Sequence, residues 1–140
     1  MEFSALEGSE RSALRHAQYV SLGTYRKRGD LVCTPVWFAE TDGCLWVFTA
    51  ADAGKVKRLR HTPQATLARC DAWGRRLGPV LEIRAEQVSE RQDEVRAYRA
   101  LRRKYGWRMW LVDALSRVFG RIHQRAVLVL RPRNADRFDW

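Results

Sequence analysis

Little in this chain marks it as secreted, membrane-spanning or metal-binding. Its three cysteines, Cys33, Cys44 and Cys70, are odd in number and show no Cys-x-x-Cys spacing. That argues against a disulfide framework and a thiolate zinc site, and leaves reduced thiols buried in or at the ends of strands. No metal site is expected. No apolar run approaches the roughly 18 to 20 residues that cross a bilayer. The first ten residues carry Glu2, Glu7 and Glu10, where a secretory signal would carry bases. Stable membrane insertion is therefore not expected, and the expected location is the cytoplasm. His16, His61 and His123 have no partner at informative spacing and no Gly-x-Ser-x-Gly turn is present, so a serine-hydrolase triad has no footing. Acids are scarce as well: 16 Asp and Glu stand against 26 Lys and Arg, a formal charge of +10. Such a surplus favours an anionic partner, whether nucleic acid, membrane surface or a small molecule bearing phosphate and carboxylates, and does not choose among them.

What is present suits one folded domain over residues 1–140, with 46% hydrophobic and 30% charged residues. Leu6, Ala13, Leu14 and Ala17 are loosely helical in spacing and predict a short amphipathic helix. Residues 19–25 alternate and are rich in strand formers. Arg26-Lys27-Arg28-Gly29-Asp30 supplies a turn, and residues 31–39 resume the extended pattern as the second arm of a hairpin. Thr41-Asp42-Gly43 is a second tight turn and residues 44–49 the next strand, so three strands are expected to form a meander. Residues 55–60 have helical character with bases at nearly every polar position, and Pro63 stops them.

The second half reads in the same way. Residues 65–71 are a fourth strand and residues 79–88 a fifth, in which Leu81, Ile83 and Ala85 face a core while Glu82, Arg84 and Glu86 face water. Ser89 and the acids after it cap a helix running to about Lys104, ended by Gly106. Trp107, Trp110 or Leu111, Leu115 and Val118 or Phe119 fall at three-to-four spacing and predict a further amphipathic helix. Residues 124–131 are a sixth strand, apolar enough to lie inside the sheet. The expected class is α+β, mainly β: six antiparallel strands closing into a barrel with flanking helices.

The run Thr34-Pro35-Val36-Trp37, then Asp42-Gly43, Val47-Phe48-Thr49, Lys55, Lys57, Leu59 and Pro63 resembles the pyridoxamine 5'-phosphate oxidase-like split β-barrel superfamily. Within it the chain looks most similar to the actinobacterial F420-dependent (deazaflavin) oxidoreductases. The likeness covers Tyr19 to about Val88, and more weakly Lys104-Tyr105-Gly106 and the last strand. It implies a homodimer joined through its barrels, with one flavin or deazaflavin in each of two grooves between the chains. It also implies hydride transfer between bound F420 and a small conjugated organic substrate, with FMN as the alternative cofactor. By the same resemblance Thr34, Pro35, Val36 and Trp37 line the ring system, and Phe48 and Thr49 reach the ribityl chain and phosphate. Lys55 matches the phosphate-binding lysine, and Lys57 or Arg58 lies one step further along. Ala53 stands where several relatives carry a second phosphate-binding arginine, so Lys57, Arg58 or Arg60 would have to compensate. The longer C-terminal extension of the true oxidases has no counterpart, which argues against that specific activity.

Apart from any family, a phosphate is stabilised where the N–H groups of a helix start, a lysine ammonium and a threonine hydroxyl converge, and Gly54 permits close approach. F420 carries a phosphodiester and several carboxylates where FMN carries one phosphate. The bases at Arg26-Lys27-Arg28, 55–60, Arg75-Arg76 and Arg102-Arg103-Lys104 suit the more anionic ligand. No catalytic acid or base stands out, because hydride chemistry belongs to the cofactor. Trp73, Trp107, Trp110 and Trp140 serve packing, a dimer seam or the substrate wall. A non-enzymatic protein that binds an anionic ligand or nucleic acid through its charge and interleaved aromatics is the second alternative; no nucleic acid is expected, since the bases are spread over turns and helices and no recognition motif appears.

Overall fold

Period-two burial organises most of the chain. The computed structural model describes residues 1–51, 53–106, 108 and 125–140. Seven strands run through it: β1 (Tyr19–Tyr25), β2 (Leu31–Val36), β3 (Ala39–Thr41), β4 (Cys44–Ala50), β5 (Gln64–Cys70), β6 (Leu81–Val88) and β7 (Arg125–Pro132). They form one antiparallel sheet in the order β2-β1-β5-β6-β7-β4-β3. Val20 and Leu22 of β1, Leu45 and Val47 of β4, Leu67 of β5, Ile83 and Ala85 of β6 and Leu128 and Leu130 of β7 point into one core. These are the inward positions of alternating strands, and each is essentially sealed from water.

The two outermost strands of that order, β2 and β3, are consecutive in sequence. Val36 and Ala39 are three residues apart, which limits their separation to about 10 Å. Both edges of the sheet must therefore meet, and the sheet is rolled into a barrel whose seam the chain itself crosses at Trp37-Phe38. This crossing divides what reads in sequence as one strand over residues 31–39, so there are seven strands rather than six. The expected meander is also corrected. β1 pairs with β2, Ser21 opposite Pro35, and β3 pairs with β4, Ala39 opposite Trp46, but β4 takes β7 as its other neighbour, Thr49 opposite Ala126.

The turns behave as their chemistry requires. Asp42 and Gly43 have φ of 55° and 76°, and Gly29 in the β1–β2 turn has φ of 95°. Helix α1 (Gly8–Arg15) follows a short 3-10 turn at Phe3–Ala5. Phe3 meets Phe138 and Trp140 edge-on at ring-centroid distances of 5.0 and 5.1 Å, which assigns Trp140 to packing. Helix α2 (Gly54–His61) buries Val56 and Leu59. Helix α3 (Arg91–Tyr105) lays Ala97, Ala100, Leu101 and Tyr105 on the outside of β3 and β4. Glu90, not Ser89, holds its N-cap position and makes no side-chain cap bond; Asp93 and Glu94 supply the first-turn acids, and Gly106 at φ 57° ends the helix. The predicted helix from Trp107 to Phe119 lies outside the described residues apart from Arg108. All three cysteines are free; Cys44 and Cys70 are buried as expected, whereas Cys33 is exposed on β2. Among the described residues no helix is long and apolar enough to cross a membrane.

Candidate functional site

Helix α2 leaves the end of β4 and packs against β1 and β6 through Val56 and Leu59. That three-residue spacing turns Lys55 and Arg58 toward the strands and leaves Lys57 and Arg60 exposed. The Lys55 ammonium donates to Thr49 Oγ1 at 3.4 Å. The Arg58 Nε donates to Thr24 Oγ1 at 2.6 Å, and Thr24 is fully buried at the inward end of β1. Among the described residues neither cation has a carboxylate partner. Burial, and secondly the Arg58 charge, hold the Lys55 ammonium below the usual lysine range. Two unneutralised cations beside two threonines, half out of water, form a place that an anion would relieve.

Gly54 opens α2, and a Cβ there would lie 2.7 Å from Arg58 Nη1. The guanidinium thus folds back over the first turn of its own helix, in space that only glycine leaves free. Ala53 is the N-cap and has no side chain able to bond the first-turn N–H groups. Of the three bases expected to compensate for Ala53, Arg58 turns inward, whereas Lys57 and Arg60 face away.

The other predicted residues divide into two places. Val36 is buried in the core, while Pro35 is exposed on the outer face of β2. Thr34, on the same face of β2 as Val36, points inward opposite Leu22, its Oγ1 buried with no hydrogen-bond partner among the described residues. Trp37 and Phe48 lie instead in the cluster beneath α3. Trp37 stacks flat on Tyr105 at 4.4 Å and 7°, and Phe48 stacks on Tyr98 at 5.8 Å. The structure therefore brings Thr49, Lys55 and Arg58 together, sets Thr34 and Val36 inside the barrel, anchors Trp37 and Phe48 against α3, and leaves Lys57 apart.

Sequence reasoning missed two groups. Thr24 was open to detection, because it continues the inward series Val20, Leu22, Thr24 and a hydroxyl at the third place demands a partner. Tyr105 had no local signal. Its hydroxyl donates toward the carbonyls of Gln18 at 2.6 Å and Phe38 at 3.0 Å and accepts from the Phe38 N–H at 3.1 Å. It thereby serves the backbone exactly where the chain crosses the barrel seam, and burial pushes its pKa up. Beside it Lys104 holds its ammonium 3.4 Å above the Phe38 ring, with no hydrogen-bond acceptor among the described residues.

Residues 6–137 match the family model described as pyridoxamine 5'-phosphate oxidase. No curated protein matches the chain. Among solved structures, a conserved hypothetical protein of Mycobacterium tuberculosis is similar at TM-score 0.67 and 21% identity, over 93% of this chain and 82% of that one. The haem storage protein HutZ of Vibrio cholerae aligns at TM-score 0.69 and 13% identity, over 91% of each chain. A haem-binding protein of Mycobacterium smegmatis aligns at TM-score 0.61 and 17% identity, over 91% of this chain and 52% of its own. At these identities the likeness establishes the fold.

Proposed function

Since the chain belongs to the pyridoxamine 5'-phosphate oxidase family, we propose that it is an oxidoreductase that holds coenzyme F420 beside α2. The bound deazaflavin would exchange hydride with a small conjugated organic substrate. The observation that carries this reading is the pair Lys55 and Arg58, turned inward onto Thr49 and Thr24 with no carboxylate partner among the described residues. A cofactor phosphate would accept from the Lys55 ammonium, the Arg58 guanidinium, the Thr49 hydroxyl and the uncapped N–H groups of α2. The cofactor supplies the hydride chemistry; the chain binds it, orients it and keeps water away. Thr34, with its unpartnered hydroxyl, Pro35, Val36 and the anchored rings of Trp37 and Phe48 are the residues assigned to its ring side. Lys57 and Arg60, exposed on the same helix, would meet the carboxylates of an anionic tail.

The reading includes a homodimer with the cofactor between the copies. The outer face of β2 presents Leu31, Cys33 and Pro35, and Leu31 is 43% exposed. Behind them Gly23 is buried so tightly that a side chain there would collide with Thr66 and Leu31. A flat, largely uncharged face of this kind suits a second copy. FMN is the second reading, and one observation favours it: only Lys55 and Arg58 turn inward, a compact pair matched to a single phosphate.

Titration of the purified protein with F420 and with FMN tests the proposal. F420 should bind more tightly than FMN, and Lys55→Ala should weaken it at least about tenfold, the loss of one charge-assisted hydrogen bond. Equal, tight binding by both proteins would remove Lys55 from the site, preferential FMN binding would select the second reading, and binding of neither would sink the function. Light scattering of the eluted protein should give twice the monomer mass.

A further inference from the structure

We propose that α3 carries a surface for single-stranded nucleic acid, separate from the Lys55–Arg58 cluster on α2 and meeting the residues assigned to the cofactor's ring side at Phe48. The bases that look dispersed in sequence are gathered by this helix. Its packed stripe is Ala97, Ala100, Leu101 and Tyr105. The outward positions hold Arg91, Arg99, Arg102 and Arg103, all exposed, and none of their side chains makes a hydrogen bond or ion pair among the described residues. Arg96 is different: it is engaged by Asp42 at 3.6 Å and Asp93 at 3.7 Å. Arg91 to Arg102 spans eleven residues, about 16 Å along the helix.

The surface is concave on both flanks. One groove of about 600 Å³ sets Arg91, Arg99 and Arg103 around Thr41. The other, of about 470 Å³, sets Arg91, Arg99 and Arg102 around the Phe48–Tyr98 stack, with Glu94 as the acid on its lining. Arginine forks pair bidentately with phosphodiester oxygens, and an aromatic wall beside them offers a π-face to a base. An anionic bilayer would call for a convex, apolar-studded helix, whereas Val95 is the one large hydrophobic side chain exposed on α3. An acidic peptide would satisfy the arginines but would leave the aromatic wall unused.

The test is fluorescence anisotropy with a labelled twelve-nucleotide oligo-dT between 50 and 200 mM KCl. Four neutralised phosphates give a slope of log K against log salt of about −2.8, or about 50-fold weaker binding across that range. Arg99→Gln combined with Arg102→Gln should halve the slope to about −1.4, leaving about a 7-fold change. Arg91→Gln alone should give about −2.1, and Lys27→Gln, exposed in the β1–β2 turn, the wild-type slope. Unchanged thermal unfolding would show the arginine variants to be folded. No binding at 50 mM, a slope that ignores the α3 substitutions, equal affinity for hexaglutamate, or binding only to phosphatidylserine vesicles would each overturn the proposal.

Discussion

Lys104→Met should make this protein more stable at neutral pH and should abolish a specific part of its pH dependence. Lys104 places its ammonium over the Phe38 ring at 3.4 Å, with no hydrogen-bond acceptor among the described residues, and burial brings its pKa down from 10.5 to about 8. The unfolded chain therefore binds this proton more tightly than the folded one. Below about pH 8 the full penalty of burying the charge opposes folding. Between about 8 and 10.5 the folded state loses the proton first, stability rises, and above that window both states are neutral. The shift corresponds to about 3.4 kcal/mol if taken whole, and partial exposure halves it to about 1.7 kcal/mol. The cation–π contact returns about 0.5 to 1 kcal/mol, so Met, of similar length and soft against an aromatic face, should gain about 1 kcal/mol. For a chain of 140 residues that is about 3 °C in Tm. Urea unfolding of both proteins at pH 7, 8.5 and 10 gives the result as a difference, which cancels the other titrating groups. The variant's advantage should shrink toward pH 10 as wild type loses its buried charge; a less stable variant at pH 7, or a variant advantage that stays constant or grows toward pH 10, would refute the reasoning.

Two further substitutions probe the seam and the site. Tyr105→Phe removes the hydroxyl that receives the buried Phe38 N–H, and should cost about 1 to 3 kcal/mol, a fall of about 3 to 10 °C in Tm by differential scanning calorimetry. Gly54→Ala forces Arg58 Nη1 away from its place, so F420 binding should weaken about tenfold while Tm holds or rises slightly, as expected of alanine in a helix. A parallel loss of affinity and stability would place Gly54 in the fold rather than the site.

How much was legible in the sequence follows from how local each feature is. The inward series of β6 and the Asp42-Gly43 turn are written in consecutive residues, and both were found. So was the Thr49–Lys55 pair, six residues apart and joined by one turn into α2. The Arg58–Thr24 bond spans 34 residues, and the pairing of β4 with β7 joins Leu45 to Leu130; no periodicity carries such information. The break between β2 and β3 left a faint mark. Phe38 and Ala39 are both buried, a lapse in alternation that an apolar run from Leu31 to Ala39 conceals. Ser89 misled for a different reason: a hydroxyl and nearby acids suit either of two adjacent cap positions, and the register of α3 against β4 decides.

The place of β7 sets a condition on how the molecule comes into being. β7 is inserted between β6 and β4, yet it follows the other six described strands in chain order. Until it emerges, β4 and β6 each offer an open edge to any neighbouring chain, with Trp46, Val47, Ile83 and Ala85 unburied. A chain cut or truncated ahead of Arg125 should thus yield an aggregating fragment rather than a weakened protein, because the barrel cannot close without β7.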